Sequence, residues 1–213
     1  LKQGIKTAVA GVTGYAGAEL ARLLLAHPRL QDTPPVFLGR MGALEADAKP
    51  TLLWELHPHL ASNEGKSSPK VVPFDWKHLK DEGIEILFLA TPHEQSREWA
   101  PEAVANGLRV IDLSGAWRLY ESENSSVYKL EDKDAAAAAK LQAEAVYGCP
   151  ELHREEIKSA RLVANPGCYA TSVILAVVPF VQAGVVDLDR GIIADCKSGV
   201  SGSGKAPSAK THF

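Results

Sequence analysis

Short apolar runs and helix-patterned stretches take turns along this chain. Residues 6–10 read as a buried strand, and 18–26 carry helix formers that His27-Pro28 brings to a stop. Residues 36–38 form a second apolar run. Residues 41–70 are loop-like, with Pro50, Pro58 and a polar run at 62–70. Residues 84–90 predict a strand, 96–106 a helix capped by Gly107, and 109–112 another strand. The alanine-rich stretch 135–145 is a helix without chemistry. An apolar helix runs from 168 to 183 with Gly184 as its C-cap, and a turn at 187–189 leads to a strand over 191–197. Strand and helix alternating through short connections predict an α/β fold with a doubly wound parallel sheet. The boundary is expected near 148, giving a sheet domain at 1–148 and the start of an α+β substrate domain at 149–213.

The first turn changes the picture from fold to ligand. Gly11, Gly14 and Gly17 are spaced G-x-x-G-x-x-G between the first strand and the first helix. Glycines there let backbone approach a pyrophosphate, and a helix start holds its charge. Gly11, Thr13, Gly14, Tyr15, Ala16 and Gly17 are therefore candidate cofactor residues of a Rossmann-type domain. The second strand ends Gly39-Arg40, where an NAD enzyme usually has a carboxylate for the ribose. A guanidinium suits a 2′-phosphate, so NADP(H) is the expected cofactor. Thr91, Pro92 and Ser114 close later strands on the same carboxyl edge and should line that cleft.

A second stretch supplies a nucleophile. Asn165-Pro166-Gly167 delivers Cys168 to the start of the apolar helix. Helix starts favour negative charge, and the thiolate is the nucleophilic form of cysteine. Arg118 offers its planar fork either to an anionic substrate group or to a surface ion-pair partner. Gly199, Gly204 and Lys205 nearly satisfy a P-loop, but Ala206 lacks the hydroxyl and Pro207 the usual helix start. An anion-binding loop for substrate is the better reading. His57-Pro58-His59 reads as surface loop, and no metal site is expected.

Bulk properties remove other classes. The 213 residues are 46% hydrophobic and carry a net charge of −3, without a basic footprint for nucleic acid or membrane. The longest apolar run, 172–186, is too short for a bilayer and holds Pro179 and Gln182. Three cysteines without close pairing argue for a reducing, cytoplasmic setting, where the sequon at Asn124 would go unused.

Five segments together resemble one family. They are 11–20, Asp112-Leu113-Ser114, 147–152, Asn165-Pro166-Gly167-Cys168-Tyr169-Ala170-Thr171, and 198–204. The chain is similar over nearly its whole length to N-acetyl-gamma-glutamyl-phosphate reductases of arginine biosynthesis. The resemblance implies NADPH-dependent reductive dephosphorylation of N-acetyl-glutamyl 5-phosphate to the 5-semialdehyde, with Cys168 forming a thioester. It implies that Arg118, Tyr169, Ser201 and Lys205 face the small-molecule substrate, and that the protein is a homo-oligomer, dimer or tetramer. Lys205 stands where arginine is common, Ala116-Trp117 where Asp-Phe is usual, and Ala170 where proline is frequent. Cys149 and Cys196 replace apolar residues and are read as packing. The family's acid–base histidine follows in a His-Arg-His-like segment that none of the seven histidines matches. A C-terminal part is therefore expected beyond this chain, and little or no turnover without it. Sister acyl-phosphate reductases acting on aminoadipyl or aspartyl phosphate share the pattern. A non-catalytic NADP-binding module is the alternative of another class.

Overall fold

The structure is a computed structural model that describes residues 4–42, 49–61, 67–119 and 127–205. The sequon at Asn124, part of the polar run, and Ala206, Pro207 and His212 lie outside these. Among the described residues one sheet of eight strands forms the frame, in the order β3-β4-β2-β1-β5-β6-β8-β7. The strands are β1 (Thr7–Ala10), β2 (Val36–Met41), β3 (Thr51–Leu52), β4 (Lys70–Phe74), β5 (Ile86–Leu89), β6 (Arg109–Asp112), β7 (Val146–Tyr147) and β8 (Leu162–Ala164). Every neighbouring pair is parallel except β3 with β4. The helices are α1 (Tyr15–Leu25), α2 (Leu53–Leu56), α3 (Trp76–Asp81), α4 (His93–Ala105), α5 (Ala135–Glu144), α6 (Pro150–Ser159) and α7 (Cys168–Gln182).

Both faces of the sheet are covered, which explains why its central strands are apolar runs. Ala8 and Ala10 point into one core with Leu87, Leu89, Trp99 and Val110. Val9, one residue out of phase, joins Phe37, Val71, Ala21 and Leu53 in the other. The chain leaves β1 toward β2 and β4, then returns across to β5 and β6. The direction of winding thus reverses between β1 and β5, and the crevice at their carboxyl ends is where such sheets bind ligands.

Four expectations change. The region read as loop holds β3 and α2 and ends in the first residue of β4, whose Pro73 hid the apolar run. β2 continues through Arg40 to Met41, with a register shift against β4 between Leu38 and Met41. The sheet does not stop at 148: β8 follows and pairs with β6. Residues 191–197 form no strand. A strand persists only with a ladder partner for its backbone groups, and none of the described residues provides one. The apolar side chains around that segment are correspondingly open: no residue of α7 is buried, and Ile193 is 99% exposed. No described helix is long and apolar enough to cross a membrane.

Candidate active site

The turn after β1 explains two of its glycines by geometry alone. Gly11 has φ of +82°, and a Cβ there would sit 2.2 Å from the Ala90 carbonyl oxygen at the end of β5. A Cβ on Gly17 would meet the Gly11 carbonyl oxygen at 2.3 Å and Val12 Cα at 2.7 Å. The fold itself requires glycine at both positions. Gly14 is different: its φ is −90°, and the nearest atom to an added Cβ is 3.7 Å away. Nothing in the protein's own packing demands glycine at 14, so its openness serves the cleft. Gly14 is also the N-cap of α1 and supplies no side-chain cap. The first amides of that helix are left to an anion from outside. The residues present thus fit a dinucleotide's pyrophosphate.

One cleft of about 640 Å³ gathers most of the predicted residues. Its walls include Gly11, Thr13, Gly14, Tyr15 and Ala16 from the turn, Arg40 from β2, and Thr91 and Pro92 after β5. Cys168, the exposed first residue of α7, and Ser201 and Lys205 line the same cleft. Arg40 is exposed and has no ion-pair partner among the described residues. The glycine-rich loop at 199–205 is a short 3-10 turn, Val200–Ser203, with Gly204 at φ +88°.

Below the cleft lies a polar cluster at the end of β6. Asp112 is fully buried and accepts from the Ser114 amide at 3.1 Å and the Ser114 hydroxyl at 2.8 Å. Burial pushes its carboxyl above the usual range, opposed by the hydrogen bonds of Ser114 and Ser96 and by the charge of Arg118. Ser96 also bonds Thr91, hydroxyl to hydroxyl, at 2.7 Å, which connects the cluster to the cleft wall. Arg118 spans two backbone carbonyls: Nε donates to Asn165 at 2.6 Å and Nη2 to Leu113 at 2.7 Å. It therefore ties the Asn-Pro-Gly turn to the end of β6. Gly167 leaves room for it, since a Cβ there would lie 3.0 Å from Nη1. The Asn165 amide donates to the Asp112 carbonyl at 2.9 Å. Together these contacts fix where Cys168 enters its helix.

Four predicted residues stand outside the cleft. Gly17 packs beneath the turn, and Ser114 and Arg118 serve the cluster just described. Tyr169 is 48% exposed and is not among the lining residues. His93 accepts from the Gly115 amide through Nδ1 at 2.8 Å, so its ring supports the loop after β6. Sequence reasoning missed Asp112 as a site element, although its place at a strand end on the carboxyl edge was a usable signal. It also missed Gln95, which lines the cleft from the first turn of α4. The surface reading of His57 is corrected: it is buried and bonds the Val12 carbonyl of the glycine turn. No group of three metal-ligating residues is found among the described residues. Cys149 is buried, and burial with the nearby Glu151 pushes its thiol up. Cys196 is half-buried.

The chain belongs to the semialdehyde dehydrogenase family: residues 6–160 match the model of its NAD-binding domain. Residues 168–213 match the model of its dimerisation domain. More narrowly, a protein of Bacillus cereus (strain B4264) named N-acetyl-gamma-glutamyl-phosphate reductase is 41% identical over 209 residues, 98% of this chain and 56% of the relative. One of Bacillus mycoides (strain KBAB4) with the same name is 40% identical over the same extent. The chain thus spans about half the length of these curated relatives. Among solved structures, aspartate semialdehyde dehydrogenase II of Vibrio cholerae, complexed with ASA, aligns with a TM-score of 0.53 at 21% identity. That alignment covers 85% of this chain and 47% of the other, a likeness of fold.

Proposed function

We propose that this chain is the cofactor-binding and thiol-bearing part of an acyl-phosphate reductase. Its substrate is N-acetyl-glutamyl 5-phosphate, its product the 5-semialdehyde, and its pathway arginine biosynthesis. The observation that carries this reading is that one cleft is lined both by the glycine turn and by Cys168. The names of the relatives support the choice of substrate.

The thiolate of Cys168 attacks the acyl carbon, the carbon–oxygen bond to phosphate breaks, and inorganic phosphate departs with both electrons of that bond. A thioester on Cys168 remains. When bound, NADPH supplies the hydride that reduces it. The sulfur then leaves the resulting thiohemiacetal as thiolate, and the aldehyde is released. Ser201 and Lys205, which line the same cleft, hold the substrate's anionic groups, and Arg40 favours the 2′-phosphate of NADPH over NADH. Arg118 and Gly167 keep Cys168 at the cleft by holding its turn. The oligomer forms through the unit that opens at Cys168, and we set the boundary between units in the 165–167 turn, after β8. Proton transfer belongs to a histidine in the length of the relatives that this chain does not span.

Acylation needs only Cys168 and an acyl phosphate, so it is testable on this chain. With N-acetyl-glutamyl phosphate we expect stoichiometric phosphate release and a matching mass increase on Cys168. The aspartyl and aminoadipyl phosphates should react more slowly, and Cys168→Ser should give neither signal. NADPH binding without acylation of Cys168 would leave a cofactor-binding module and refute the enzyme reading. Faster acylation by another acyl phosphate would reassign the substrate.

A further inference from the structure

The glycine turn is held from below by a residue far along the chain. His57 follows α2, is 5% exposed, and places Nε2 2.8 Å from the Val12 carbonyl oxygen. A carbonyl only accepts, so the ring proton sits on Nε2. The histidine is itself fixed. Its amide donates to Leu53 and its carbonyl accepts from Leu60, each at 2.9 Å. Leu53 is fully buried in the same core cluster as Val12.

This bond has a consequence one residue on. Val12 is buried, while Thr13 is exposed and lines the cleft. The peptide between them is trans and planar, so the Val12 carbonyl and the Thr13 N–H point in opposite directions. Tying the carbonyl down to His57 turns the Thr13 N–H away from the core, toward the cleft side. That N–H has no partner among the described residues. The Gly14 amide bonds the Gly11 carbonyl at 3.1 Å, and Gly17 only limits how closely the helix sits. The turn bond also restrains this peptide, which is its central one, and His57 adds a hold on the peptide's carbonyl.

We infer that His57 is a positioning residue for cofactor binding: it sets the Val12–Thr13 peptide so that the Thr13 amide faces the dinucleotide's pyrophosphate. The inference rests on the dinucleotide reading above. A histidine that merely satisfied the core would matter to stability and not to which part of the cofactor is held.

The test compares two probes, NADPH and adenosine 2′-monophosphate, which lacks the pyrophosphate. In equilibrium titrations His57→Phe should bind NADPH more weakly by on the order of tenfold, the worth of one hydrogen bond to a charged group. Binding of adenosine 2′-monophosphate should not change. His57→Gln, whose amide can take the place of Nε2, should recover most of the NADPH affinity. His57→Asn, too short to reach Val12, should not, and it carries the comparison if the Phe variant does not fold. Equal weakening of both probes, unchanged NADPH binding, or no recovery by Gln would overturn the inference. A wild-type chain that takes up neither probe would instead remove the dinucleotide reading, and this inference with it.

Discussion

Gly17 and Gly14 belong to one motif, yet replacing each by alanine should do opposite things. At Gly17 the new Cβ lands 2.3 Å from the Gly11 carbonyl oxygen, 2.7 Å from Val12 Cα and 2.8 Å from the Gly11 carbonyl carbon. All three are backbone atoms, so no side chain can rotate away, and α1 must lift off the turn. Overpacking costs about 1–3 kcal/mol, and a backbone clash belongs at the top of that range. Alanine returns about 1 kcal/mol of helix propensity, which leaves a net loss of about 2 kcal/mol. For a chain of this size that lowers Tm by roughly 4–8 °C. At Gly14 the Cβ is 3.7 Å from its nearest neighbour and φ is within alanine's range, so Tm should stay within about 2 °C of wild type. The same methyl projects into the space proposed for pyrophosphate, so NADPH binding should weaken about tenfold or more. Thermal unfolding and an NADPH titration on both variants decide the matter. Gly17→Ala as stable as wild type, or Gly14→Ala binding NADPH with full affinity, would refute the division of labour between the glycines.

Two further outcomes follow from the buried groups. Asp112 holds its proton in the folded state above the pH at which the unfolded chain releases it, ordinarily near 3.8. Its contribution to stability is therefore greatest at low pH and declines as pH rises through the raised folded value. Denaturant unfolding across pH should show wild type losing ground to Asp112→Asn as pH rises; a difference that moves the other way contradicts the assignment. Native-state alkylation with iodoacetamide, read by mass spectrometry, should modify exposed Cys168 and spare Cys149, which is 1% exposed, until the chain is unfolded. Equal native rates at the two thiols would place Cys149 outside the core.

Signals that are local in the chain were legible in it. The turn Gly11–Gly17, the strand ends at Thr91 and Ser114, and the Asn-Pro-Gly-Cys turn are each set by a few consecutive residues. Their backbone requirements show in residue type: glycine where a Cβ has no room, proline where a helix is entered. Apolar runs fully covered on both sides announced the central strands and with them the parallel sheet. Strands at the margin did not announce themselves. β4 carries a proline, and residues 191–197 have the apolar pattern of a strand but no neighbour to pair with.

The sequence alone determined the doubly wound sheet, its ligand-binding edge and a cysteine poised at a helix start, because each depends on short-range pattern. Only the tertiary structure decided that these share one cleft, that Arg118 holds the cysteine's turn to the end of β6, and that His57 reaches back 45 residues to Val12. Contacts of that kind join side chains to distant backbone carbonyls. A carbonyl is the same in every residue, so the sequence carries no mark of which one a distant side chain will find.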